Sequence, residues 1–206
     1  MTNQNSYPRI FLIRHGKPLV SRAGFFSHRS AAQFILDYDA TDVEEFDRIL
    51  ADVDFANLKH VHCSTLQRAK GTARKLFGSE ITLKEDAVFR EFERKIIKLP
   101  MLKMPIRFWL ILSRLLWVFG FNKSGIESFT DARNRAKAGA NLLAAEAKKE
   151  GVAVLVAHGF LNRFLVRSLK RSGWQLAKKA DYGFVGVTEL AFVTSPQTPL
   201  QMRGEK

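Results

Sequence analysis

Apolar positions along this chain fall into two alternating rhythms. Continuous apolar runs at residues 10–13 and 152–157 read as fully buried strands, with shorter strand-like stretches at 61–63 and 81–83 and another within 185–193. Helical spacing occupies residues 30–38, 65–77, 128–149 and 161–171, and Gly78, Gly151 and Gly173 stand just past three of those ends. Strand alternating with helix predicts an α/β fold, a mostly parallel central sheet flanked by helices on both faces. His28 reads as a loop or helix-start residue, and the tail after Ser195, with Pro196, Pro199 and Gly204, as irregular.

Residues 92–126 break the alternation and read as a helical cap inserted into a single domain of residues 1–206. Within the insert, 105–119 has a helical start at Pro105 and a stop at Gly120. It carries Phe108, Trp109, Leu110, Ile111, Leu112, Leu115, Leu116, Trp117, Val118 and Phe119, while Arg107 and Arg114 are nearly aligned on a helix, so the polar stripe is narrow. Arg114 divides a stretch already short of the roughly 20 apolar residues that a membrane span needs. Two placements remain: a helix packed on the core as a roof over the site, or one whose aromatic residues, Trp109 and Trp117 among them, enter a bilayer interface. Between Glu93 and Glu127 there is no acidic residue, against seven cations from Arg94 to Lys123.

Composition adds compartment and partners. The 206 residues, 46% hydrophobic and 26% charged, suit one globular unit. A lone cysteine, Cys63, excludes an internal disulfide and fits a reducing compartment, and the polar start 1–6 lacks the pattern of a secretory signal. A cytoplasmic protein is therefore expected, with peripheral membrane contact only in the second placement of the insert. Thirty-three Lys and Arg against twenty Asp and Glu give a net charge of +13, which favours anionic partners: phosphorylated molecules or an anionic membrane. Nucleic acid is not expected, because no zinc-finger, helix-turn-helix or RNA-binding aromatic signature is present.

The candidate chemistry sits at strand ends. Arg14-His15-Gly16 closes the first apolar run and His158-Gly159 closes the one at 152–157, and ligands of open parallel sheets bind at the carboxyl ends of strands. A third strand-like stretch leads through Ser64, read as the cap of the following helix, to Arg68. Arg14 and Arg68 can hold a phosphate dianion through paired hydrogen bonds. His60 and His62 alternate on that strand as a metal pair would, but no third ligand accompanies them at a recognisable spacing, so no metal is expected. Four residues separate Cys63 from Arg68, where the cysteine-phosphatase loop needs five and a glycine-rich turn; Cys63 reads as a buried strand residue.

Arg14-His15-Gly16, Ser64-x-Leu66-x-Arg68-Ala69-x-x-Thr72-Ala73, Phe89-Arg90-Glu91, Glu127-Ser128 and His158-Gly159, in that order across residues 9–193, resemble the histidine phosphatase superfamily, of the phosphoglycerate-mutase-like fold. The resemblance implies a phosphomonoester hydrolase that works through a covalent phosphohistidine, without cofactor or metal. It makes His15 the nucleophile and His158 a ligand of the transferring phosphoryl group. It makes Glu91 the general acid, a carboxylic acid kept neutral by burial or by the charge of the phosphate. Glu93 is the alternative, because side chains at i and i+2 of an extended stretch point the same way. Lys17-Pro18 after the first motif departs from mutases and disfavours mutase activity, and Ser128-Phe129 after Glu127 departs from the commoner sequence. The substrate is left as a phosphorylated small molecule, lipid or phosphoprotein. The other reading is a catalytically weak phosphate-ligand or membrane-surface binding protein of the same fold.

Overall fold

The computed structural model describes residues 7–47, 58–122, 124–179 and 183–193. The polar start, Lys123 and the tail after Ser195 lie outside these residues. In chain order the elements are β1 (Arg9–Arg14), β2 (Phe25–Phe26), α1 (His28–Ala40), β3 (His60–Ser64), α2 (Gln67–Phe77), β4 (Thr82–Asp86), a 3-10 turn (Ala87–Phe89), β5 (Met104–Pro105), α3 (Ile106–Val118), α4 (Phe129–Glu150), β6 (Val152–Ala157), α5 (Gly159–Arg171), β7 (Gln175–Lys178) and β8 (Val187–Ala191). His28 begins α1, and α2 starts two residues later than the sequence pattern placed it.

Strand order in the main sheet is β4-β3-β6-β1-β8-β7. β1 and β6 pair in parallel from Arg9 opposite Val152 to Arg14 opposite Ala157, and β3 joins β4 and β6 in parallel; β8 alone is reversed. Both faces are covered, so the central strands are apolar throughout. Ile10, Leu12, Ala153 and Leu155 pack under α4 and α5, while Phe11, Ile13, Val154 and Val156 pack with Ala69 and Ala73 of α2. Parallel pairing brings the carboxyl ends of β1, β3 and β6 to one edge. Ser64 closes β3 at that edge, and His15 and His158 directly follow β1 and β6.

β2 and β5, two residues each, form a separate ribbon that the sequence did not suggest. Beside it, α3 packs on α1 through Phe34, Ile106 and Trp109. Both tryptophans of α3 are buried, contrary to the placement in which they enter a bilayer. Trp109 Nε1–H donates to the Phe26 carbonyl at 2.7 Å and Trp117 Nε1–H to the Glu127 carbonyl at 2.6 Å. Indoles with apolar faces packed and N–H groups satisfied make good core residues, worth about 3–5 kcal/mol each against alanine. Phe108, Ile111, Leu115 and Phe119 are exposed instead. At about 100° per residue they fall within roughly 80° of arc, centred on the side away from the tryptophans, so α3 is apolar on two opposite faces. Among the described residues, no helix is long and apolar enough to cross a membrane.

Candidate active site

His15 is buried immediately beyond β1, and its Nδ1 lies 2.7 Å from the Gly16 carbonyl. A carbonyl only accepts, so Nδ1 carries the proton and Nε2 keeps its lone pair. Burial, with the guanidinium of Arg68 and then Arg14 adding to it, pushes the ring's pKa down to about 3, and the imidazole is neutral at ordinary pH. Arg14 lies over the ring of Phe184, 4.4 Å from its centroid. A β-carbon at Gly159 would meet Arg14 Nε at 3.2 Å, so the glycine that opens α5 gives the guanidinium its path across the first turn.

Arg68, in the first turn of α2, is almost fully buried. Its Nη1 donates to the Tyr38 carbonyl at 2.9 Å and to Asp39 Oδ1 at 2.8 Å, and its guanidinium lies over the Tyr38 ring at 4.7 Å. Its buried Nε makes no hydrogen bond among the described residues. Thr72, one turn on, donates from Oγ1 to the Arg68 carbonyl at 2.6 Å and accepts the Gly16 N–H at 2.8 Å. One hydroxyl thus sets the distance between the loop of His15 and the helix of Arg68. Gly71 lies beside it, where a β-carbon would overlap the Asp42 carboxylate.

Ser64 is not the cap expected from the sequence: α2 has Leu66 at its N-cap, with no side-chain bond there. Its hydroxyl instead meets His158 Nε2 at 2.8 Å, and His158 Nδ1 makes no hydrogen bond. His158 is fully buried; burial, then Arg68 and His15, hold its pKa well below the ordinary value. The rings of His15 and His158 stand 5.2 Å apart, centroid to centroid.

Glu91 follows the 3-10 turn, and its carboxylate accepts the Phe92, Leu161 and Phe160 amides at 3.0, 3.2 and 3.3 Å. That seats it on the first turn of α5, next to His158. Glu93 is exposed and accepts the Glu127 amide at 3.0 Å. Both carboxylates reach the same cavity wall. Arg135 of α4 grips Glu127 through two bonds of 2.9 and 2.8 Å and donates to the Val88 and Arg90 carbonyls, fixing the segment that delivers Glu91. Its signal in the sequence was absent, because nothing local ties residue 135 to residues 88–91.

These groups line a cavity of about 700 Å³. Eight arginines face it, Arg22 and Arg163 among those the sequence did not single out, against Asp39, Glu91 and Glu93. Arg114 reaches down from α3 to the Phe92 and Glu93 carbonyls at 2.9 and 3.1 Å; burial, then Arg94, lowers its pKa to about 10. Apolar side chains complete the lining: Phe34, Ile35, Ile106, Leu110, Ile111 and Leu115. Such a cavity suits an anionic head joined to an apolar body. Cys63 is buried, and burial pushes its thiol up to about 12, the reverse of a reactive thiolate. His60 and His62 stand apart from the cavity, with Glu146 between them and the α4 side of the sheet.

The family profile "Histidine phosphatase superfamily (branch 1)" matches residues 10–202. No curated protein sequence matches the chain. Among solved structures, a phosphoglycerate mutase from Bacillus anthracis superposes with a TM-score of 0.54 at 17% identity, covering 88% of this chain and 86% of that one. A variant phosphoserine phosphatase from Entamoeba histolytica, in complex with phosphoserine, gives 0.52 at 18% identity, over 90% and 91% of the two chains. A mycobacterial glucosyl-3-phosphoglycerate phosphatase complexed with VO3 gives 0.52 at 22% identity, over 88% and 92%.

Proposed function

The chain belongs to branch 1 of the histidine phosphatase superfamily, and we propose that it hydrolyses phosphomonoesters of amphiphilic molecules through a phosphohistidine on His15. The observation that carries this reading is the neutral His15, its Nδ1 proton engaged by Gly16 and its Nε2 lone pair left for phosphorus, inside a cavity lined by arginines. Arg14 and Arg68 hold the dianion, with Arg68 Nε a donor that the protein itself leaves unmatched. His158 Nδ1 donates to a phosphoryl oxygen.

Nε2 of His15 attacks phosphorus, the P–O ester bond breaks, and Glu91 passes a proton to the leaving oxygen. Water then attacks the phosphohistidine, its proton returns to Glu91, the P–N bond breaks, and inorganic phosphate departs. No step calls for a metal or cofactor. Residues 92–126 act as a cap whose apolar wall receives the rest of the substrate, which favours a phosphorylated amphiphile over phosphoserine, the ligand of the Entamoeba structure. The exposed stripe of α3 continues that wall outwards through Ile111 and Leu115, and supports peripheral contact with an anionic membrane.

Brief exposure of the full chain to a 32P-labelled aryl phosphate tests the reaction. Acid-labile, base-stable label on the wild type, lost in His15→Ala together with turnover, is the expected result. Full labelling of His15→Ala would remove His15 from the role.

A further inference from the structure

One cluster of donors lies outside the phosphate cavity and has no part in the chemistry above. His60 and His62 occupy alternate positions of β3 and so share the face covered by α4, from which Glu146 reaches down between them. His60 Nε2 lies 2.6 Å from Glu146 Oε1, and His62 Nε2 lies 2.9 Å from Glu146 Oε2. One ligand atom from each residue falls within 4.8 Å of the other two. The sequence hid the third donor because it comes from another element, far down the chain.

Hydrogen bonding alone leaves this cluster unsatisfied. His62 Nε2 is buried and, despite its distance from Glu146, lacks the alignment of a hydrogen bond. His60 Nε2 faces the Glu146 carboxylate at 2.6 Å and the Lys84 ammonium at 2.8 Å. Its single σ-position can donate to the carboxylate or accept from the ammonium, never both. Lys84 Nζ stands 3.5 Å from Glu146 Oε2 as well, a cation drawn to the point where the donors converge.

We propose that His60, His62 and Glu146 bind one divalent transition-metal ion of the zinc class, with Lys84 swung out to solvent and water as the fourth ligand. A set of two imidazoles and one carboxylate is a zinc donor set, and tetrahedral bonds of about 2.0–2.1 Å hold ligand atoms about 3.3 Å apart, within the spread seen here. Lys84 is half exposed, so its departure to water is open. The ion ties β3 to α4. Ser64, two residues beyond His62 on the same face, holds His158, and the His62 ring packs edge-on against Phe89 at 5.6 Å, just before Glu91. A structural metal in this position stiffens the frame behind both groups and is independent of the reaction proposed for His15.

The test uses the full chain without affinity tag, stripped with chelator and titrated with zinc chloride by calorimetry. Wild type is expected to bind one equivalent, and zinc at about a hundred times Kd to raise Tm by about 5–10 °C. Glu146→Gln and His60→Ala should each weaken binding at least tenfold, whereas His15→Ala should leave it unchanged. Cobalt(II) should give the intense visible bands of a tetrahedral site on wild type, bleached by zinc, a readout that needs no variant to fold. Absence of one-equivalent binding overturns the proposal. So does binding that survives Glu146→Gln and His60→Ala, or that disappears in His15→Ala, since the ion would then sit among the cavity histidines.

Discussion

Ser64 Oγ and His158 Nε2 meet at 2.8 Å across the sheet, joining the end of β3 to the end of β6. The Ser64 oxygen also accepts the Leu66 amide at 3.3 Å, so its own proton is directed at Nε2, and Nδ1 of His158 becomes the ring's donor. Ser64→Ala frees the tautomer. We expect kcat/KM to fall about tenfold, the worth of one buried hydrogen bond, with label still appearing on His15. An unchanged kcat/KM would separate Ser64 from the site.

Glu91 and Glu93 reach the same cavity, but only Glu91 is seated on the first turn of α5 beside His158. Glu91→Gln should slow alkyl phosphates, whose leaving oxygen needs the proton, by about 10²–10⁴ and activated aryl phosphates far less. Glu93→Gln should show no such selectivity. The reverse pattern in a leaving-group series would move the acid two residues along.

Acidification tests the buried histidines. The pKa of His15 is about 3 in the folded chain, against 6.5 when unfolded, and that of His158 is lowered too. The unfolded chain therefore binds more protons as pH falls below 6.5. The contribution of His15 to stability is complete above pH 6.5 and is lost down to about pH 3, at up to about 1.4 kcal/mol per pH unit, and His158 adds to the loss in the same direction. Urea midpoints between pH 7.5 and 4.5 should fall less steeply for His15→Asn than for wild type. Parallel slopes would refute the depressed pKa.

The stripe on α3 makes two quantities testable. Across a series of n-alkyl phosphates, kcat/KM should rise up to about fourfold per methylene while the chain remains within the apolar wall. Wild type should co-sediment with anionic vesicles at low salt and release at about 1 M, and Phe108→Ser/Phe119→Ser should bind weakly while aryl phosphate turnover persists. A flat alkyl series argues against an amphiphilic substrate; wild type that ignores anionic vesicles argues against membrane contact.

Arg14, His15 and His158 could be read because each closes or directly follows a buried apolar strand, so short-range sequence fixes its position in space. Arg68 follows from a strand and a helix start only a few residues apart. β7, four residues with a bulge between Leu176 and Lys178, lacked a readable period, and β2 and β5 are too short to have one. Trp109 and Trp117 look the same as Phe108 and Ile111 in composition; which side of α3 is covered depends on Phe34 of α1 and Phe92, both remote in sequence. Glu146 and Arg135 are helical residues whose partners lie on other elements, and no periodicity reports that.

Gly71 has a bearing on how this sequence can drift. A glycine inside a helix costs about 1 kcal/mol against alanine, so random substitution there should ordinarily be rewarded. Here the Asp42 carboxylate, which accepts the Val43 amide at 2.8 Å, occupies the space a methyl would need. Any larger residue must displace that carboxylate, and with it the bond to the Val43 amide, beside the helix that also carries Arg68 and the Thr72 hydroxyl that gauges its distance from His15. Descendants of this chain gain helix stability at position 71 only by giving up the present placement of the side chain at position 42, which couples the two sites in inheritance.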